Sequence, residues 1–184
     1  GPTQAGLQDI SVMRSIPNIK IFQPASAIET TEILRHCLNL KVPSYIRISR
    51  QSNKEIYKKD YKFIEGKAYI IKNDMKDGVI FTSGNMVERC LDAANIMKKK
   101  YKIGVVNIPS IKPLNTSSIL NIISKTKKVF SVEDHNINGG LGSTILEIIS
   151  EHNVKKPIYL HGLKNFTQSG EVEELYKYYN LDGV

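Results

Sequence analysis

From residue 67 onward, apolar runs of strand length alternate four times with stretches of helical spacing, and that alternation leaves few folds open. Residues 78–84 (GVIFTSG) read as a buried strand ending in a turn. Residues 85–100 then place Met86, Cys90, Leu91, Ala94 and Met97 at helical spacing, with Asn85 as the N-cap. A second strand spans 102–108, and a short helix spans 115–124 after Pro113. A third strand over 127–134 leads to a helix over 142–153, and a fourth over 157–162 precedes a helix over 169–181. Strands that are apolar on both sides and joined by helices belong to a mostly parallel sheet with helices on both faces.

Residues 1–50 repeat this grammar more briefly. A helix over 6–18 is ended by Pro17, a strand lies within 19–26, a helix spans 27–40 and a strand spans 43–49. Two strands are too few for a sheet with buried faces. The block therefore reads as the end of an α/β domain whose first strands lie upstream. The polar, lysine-rich run between the two blocks reads as a linker. The expected organisation is a domain remnant over 1–53, a linker over 54–66 and a second α/β domain over 67–184.

Composition narrows the function classes. A hydrophobic share of 41% and a charged share of 24% are those of a globular chain. No apolar run approaches the ~18–20 residues of a membrane span. The formal net charge of +8 comes largely from lysines such as Lys98–Lys100, Lys125, Lys127 and Lys128. Lys98–Lys100 close a helix, where the helix dipole favours cations. The aromatic interleaving of a single-strand binder is missing, so neither a nucleic-acid nor a membrane partner is expected. Cys37 and Cys90 match no metal or redox spacing and fit a reduced, cytoplasmic protein.

One stretch looks like a site: SVEDHNINGGLGSTILE, residues 131–147. Its strand runs into an acidic turn, Glu133-Asp134-His135, then a glycine loop, then a helix. Gly139-Gly140-x-Gly142 before a helix could cradle a phosphate on free amides, although the GxGxxG spacing is not met. It could equally be a tight corner needing positive φ, with the carboxylates satisfied by loop amides and His135 packed inside. An ion or anion site is the third reading.

Several stretches resemble the transketolase family. GPT at 1–3, MRSIPNIKIFQPASAIET at 13–30 and YIRISRQ at 45–51 are similar to the end of its pyrimidine-binding domain. VFSVEDHNINGGLGSTILE at 129–147, IPSIKPLN at 108–115 and TQSGEVEELYKYYNLD at 167–182 are similar to its C-terminal domain. The resemblance implies a thiamine-diphosphate and Mg²⁺ enzyme that moves two-carbon ketol units between sugar phosphates. Deoxyxylulose-phosphate synthases and beta subunits of 2-oxo acid dehydrogenases share the layout, and a noncatalytic assembly or anion-binding module is the rival outside the enzymes. It further implies that the cofactor and metal contacts belong to a missing N-terminal half or subunit, so this chain would be inactive alone. A homodimer or heterotetramer is then expected.

For individual residues, the resemblance makes Arg50, in SRQ, the arginine that grips the sugar phosphate. A planar guanidinium suits that task because it pairs bidentately with phosphate oxygens. Gln4 stands where the family pattern has histidine, beside the substrate; glutamine can hydrogen-bond but not titrate. Arg14, Glu29 and Arg47 are expected to cap helices or pair at domain contacts. The glycine corner carries no thiamine chemistry in the family, which favours its structural reading.

Overall fold

The computed structural model describes residues 6–51 and 53–183. The first block holds α1 (Asp9–Ser15), β1 (Lys20–Phe22), α2 (Ala27–Cys37) and β2 (Ser44–Ile46). Ser26 caps α2 by accepting the Glu29 amide. β1 and β2 pair in parallel, as expected of α/β grammar.

The second block holds β3 (Tyr69–Lys72), β4 (Gly78–Thr82), α3 (Met86–Ile96), β5 (Ile103–Asn107), β6 (Ser110–Lys112), α4 (Thr116–Ser124), β7 (Val129–Asn136), α5 (Leu141–Glu151), β8 (Ile158–Leu163) and α6 (Val172–Tyr178). Five of its strands form one sheet in the order β3-β5-β4-β7-β8, parallel throughout except for the β3 edge. Every residue of β4 and β5 is buried, as two-sided apolar strands require. On one face Val79, Phe81, Val106 and Val129 pack under Ile119, Ile123, Leu141 and Ile145 of α4 and α5. On the other, Ile80 and Val105 pack under Met86, Cys90 and Ala94 of α3, with Tyr176 of α6 beside them. The expected sheet with helices on both faces is what the chain forms.

Several local expectations are corrected. β7 runs past the expected end of the 127–134 strand, through His135 to Asn136, so the whole acidic triplet lies in the strand and none of it in a turn. The helix expected over 169–181 is reduced to Val172–Tyr178. Asn85 precedes α3 but makes no side-chain cap bond. β3 and β6 are additions that the periodicity does not reveal. β6 leaves the five-stranded sheet altogether and pairs antiparallel with β1, giving a second sheet in the order β2-β1-β6. Ile111 of β6 fills the small core of the first block with Ile10, Ile19 and Ile21.

The segment between the blocks has no helix or strand, yet it is packed. Tyr57 and Tyr61 stack at 4.0 Å. Tyr61 donates to Glu29 at 2.7 Å, and Asn107 donates to both Glu29 oxygens at 3.1 and 3.0 Å. Among the described residues no helix is long and apolar enough to cross a membrane.

Candidate functional site

The glycine corner is built around a buried carboxyl group, that of Glu133. The Leu141 and Gly142 amides, at the start of α5, donate to the two oxygens of Glu133 at 2.9 and 3.1 Å. These are the free donors that would hold a phosphate; here a buried carboxylate already holds them. A Cβ at Gly140 would strike that carboxylate, and Gly139 sits at φ +80, so the glycines serve close approach and a positive-φ turn. Burial pushes the Glu133 carboxyl up to about 7, against the pull of its two amides.

His135 is fully buried, with Nδ1 2.7 Å from the Asn136 carbonyl. Burial holds its pKa below the ordinary value, although that carbonyl and Asp9 favour the charged ring. Cys90 is equally inert, its thiol pushed up to about 12 by burial.

Asp134 is satisfied from the other block rather than by loop amides. Arg47 reaches its Oδ1 at 2.5 Å and its carbonyl at 3.1 Å, and also meets Asp9 at 3.2 Å. Burial works against the Arg47 charge, but Asp134 and Asp9 outweigh it and its pKa stands above the usual arginine value. Arg14 bridges in the same way, donating to the Gly139 carbonyl at 2.8 Å and to Glu147 at 2.5 Å. Arg14 and Arg47 thus pair between the blocks as expected, and Glu29 joins the first block to Asn107.

These contacts frame a cleft of about 260 Å³ lined by Arg47, Arg50, Asn85, Asp134 and Tyr176, among others. It lies at the carboxyl ends of β4 and β7. From β4 the chain passes through α3 on one face, and from β7 through α5 on the other. Adjacent strands whose connections part in this way leave a crevice between them. Gln23 enters it from the first block, donating to Asp134 at 3.2 Å and accepting from Ser83 at 2.8 Å.

Arg50 is exposed on the wall of this cleft, and its guanidinium has no partner among the described residues. Gln4 lies outside the described residues. The first described residue, Gly6, accepts from Arg47 through its carbonyl at 3.4 Å. Sequence reasoning does not single out Gln23, Asn85 or Tyr176 as cleft residues. Nothing within each residue's own segment marks it: Gln23 and Asn85 find their partners in the other block, and Tyr176 meets Asp134 and Arg89, far from it in sequence. Among the described residues no group of three or more His, Cys, Asp or Glu could hold a metal ion.

Residues 1–55 match the transketolase pyrimidine-binding domain, and residues 66–183 match the transketolase C-terminal domain. One subunit of the apulose-4-phosphate transketolase of Actinobacillus succinogenes is 34% identical over 98% of this chain and 58% of its own length. The 1-deoxy-D-xylulose-5-phosphate synthase of Caldanaerobacter subterraneus is 38% identical over 99% of this chain and 30% of its own length. Among solved structures, a split-gene transketolase described as an inactive beta4 tetramer superposes with a TM-score of 0.89 at 28% identity, covering 97% of this chain and 57% of that one. The chain therefore spans less than two thirds of the relatives it matches.

Proposed function

We propose, since the chain belongs to the transketolase family, that it is the C-terminal portion or subunit of an enzyme that transfers two-carbon ketol units between sugar phosphates. It would work in the cytoplasm on substrates of the pentose phosphate kind, as a dimer or heterotetramer completed by a thiamine-binding half. Thiamine diphosphate with Mg²⁺ supplies the carbanion chemistry in such enzymes. The described residues offer them no set of ligands: Glu133 is held by helix amides, and Asp134 by Arg47. We assign the cofactor contacts to the other half and route no step through this chain. On the same reading, residues 1–53 close the pyrimidine domain, 54–66 link, and 67–184 are the C-terminal domain.

The observation that carries the reading is the contrast between two arginines on one cleft. Arg47 is neutralised by two carboxylates and cannot serve a ligand without breaking them. Arg50, on the turn that follows, has no such partner among the described residues. Arg50 is thus the guanidinium free to fork onto a substrate phosphate. Gln4 would hydrogen-bond the sugar without exchanging a proton with it. In the complete enzyme, Arg50→Ala should lower kcat/KM for a phosphorylated sugar ~10–150-fold, the equivalent of a charge-assisted bond of roughly 1.5–3 kcal/mol. An unphosphorylated sugar should lose far less. Equal losses on both would end the phosphate assignment.

The 38% identity to a 1-deoxy-D-xylulose-5-phosphate synthase supports a second reading within the superfamily. Measuring 1-deoxy-D-xylulose 5-phosphate formation beside ketol transfer separates the two.

A further inference from the structure

We infer that Asn85 is a positioning residue for Arg50: its carboxamide ties the Ser49-Arg50-Gln51 turn to the first turn of α3. This rests on the reading of Arg50 as the phosphate grip. Asn85 occupies the residue before α3, where asparagine ordinarily accepts an amide of its own helix. It makes no such bond. Its Nδ2 instead donates to Ser49 Oγ at 2.7 Å, and its Oδ1 accepts from Asn53 Nδ2 at 2.9 Å.

The two contacts fall on either side of Arg50. Ser49 Oγ also accepts the Gln51 amide at 2.8 Å, a hydroxyl-to-backbone turn with Arg50 at its apex. Asn53 is held in turn by the Ala25 carbonyl at 3.2 Å. The arginine's side chain has no partner among the described residues, and these neighbours hold the turn that carries it. Asn85 has helical backbone angles (φ −59, ψ −26) that do not suit a cap, and its carboxamide is spent on the ligand-facing turn. The start of α3 is covered by main chain instead, with Met86 and Val87 donating to the Ser83 and Gly84 carbonyls. The C-terminal block would thereby set how the substrate phosphate is gripped, although the gripping residue belongs to the first block.

The test is Asn85→Ser in the complete enzyme. Serine is too short to reach Ser49, and in the helical backbone of residue 85 (φ −59, ψ −26) it gains no cap in exchange, so the unfolding midpoint should fall by only about 2–4 °C, the shift for roughly one lost hydrogen bond. KM for a phosphorylated sugar should rise roughly 3- to 10-fold, the range for one lost hydrogen bond, with kcat little changed. KM for the unphosphorylated sugar should not move. In an Arg50→Ala background the same substitution should add nothing, because a residue acting through Arg50 has nothing left to position. Ser49→Ala, made from the other end of the bond, should reproduce the selective loss if Asn85→Ser fails to fold. Full additivity with Arg50→Ala, equal effects on both sugars, or no effect on either would overturn the inference. If Arg50→Ala alone proves indifferent to phosphate, the phosphate reading falls, and the non-additivity of the pair still decides whether Asn85 acts through Arg50.

Discussion

Glu133 is the carboxylate on which two opposing forces can be weighed. It is 2% exposed, which penalises the charged form, and it accepts two amides at the start of a helix, which favour it. Burial leads, and the carboxyl stands at about 7 against an ordinary 4.5. A folded-state value above the unfolded one means that the native state binds the extra proton between those limits. Stability is then fully present below about pH 4.5 and falls as pH rises through about 7. At 1.36 kcal/mol per pH unit the fall has a ceiling of about 3 kcal/mol. Glu133→Gln cannot titrate. It also turns an NH₂ toward one of the two amides, so it should be less stable than the parent at pH 5 by about 1–3 kcal/mol. The gap should then narrow or reverse by pH 8, as the parent alone meets the cost of a buried charge.

Urea unfolding of both proteins from pH 4.5 to 8 measures this directly. The informative quantity is the difference between the two, since other titrating groups are common to both. A difference that stays constant across the range would mean that Glu133 is ionised throughout. The two helix amides would then outweigh burial, and the Glu133 carboxyl would lie at or below its ordinary value.

Two further outcomes follow from the contacts between the blocks. Arg47→Met leaves Asp134 and Asp9 without their shared cation; both are mostly shielded, so stability should drop by about 2–4 kcal/mol in denaturant unfolding, and a loss under ~1 kcal/mol would make the cluster an ordinary surface pair. Titration calorimetry of this chain alone with thiamine diphosphate and Mg²⁺ should give no heat of binding; micromolar affinity would relocate the cofactor site into these residues.

The alternation of apolar runs and helical spacing is enough to place the four parallel strands and their helices, because both periods are local. Register and order are not local. β6 has three residues, and its partner β1 lies about ninety residues earlier, beyond the reach of any period. Glu133, Asp134 and His135 look like a turn because charge is unfavourable inside a sheet. They extend β7 because each charge is answered from elsewhere, by α5 for Glu133 and by Arg47 for Asp134. The tyrosines of the polar segment at 54–66 look like a tether's for the same reason: Glu29 and Asn107, which order them, are distant in sequence.

β6, Asp134 and the tyrosines of 54–66 each have their partner in the other block or the segment between, whereas Glu133 has its partners in α5. The first block has no closed core without Ile111, and its sheet has no third strand without β6. It is completed by the second block rather than merely tethered to it. Arg50 stands on one wall, while Asn85, Asp134 and Tyr176 stand on the other. The residue type that assigns Asn85 as the cap of α3 is local, yet its backbone is already helical and its carboxamide is taken from across the blocks, Oδ1 by Asn53 and Nδ2 by Ser49. Reading either block alone gives the chemistry of Arg50 but not its aim, because the groups that aim it lie across the cleft.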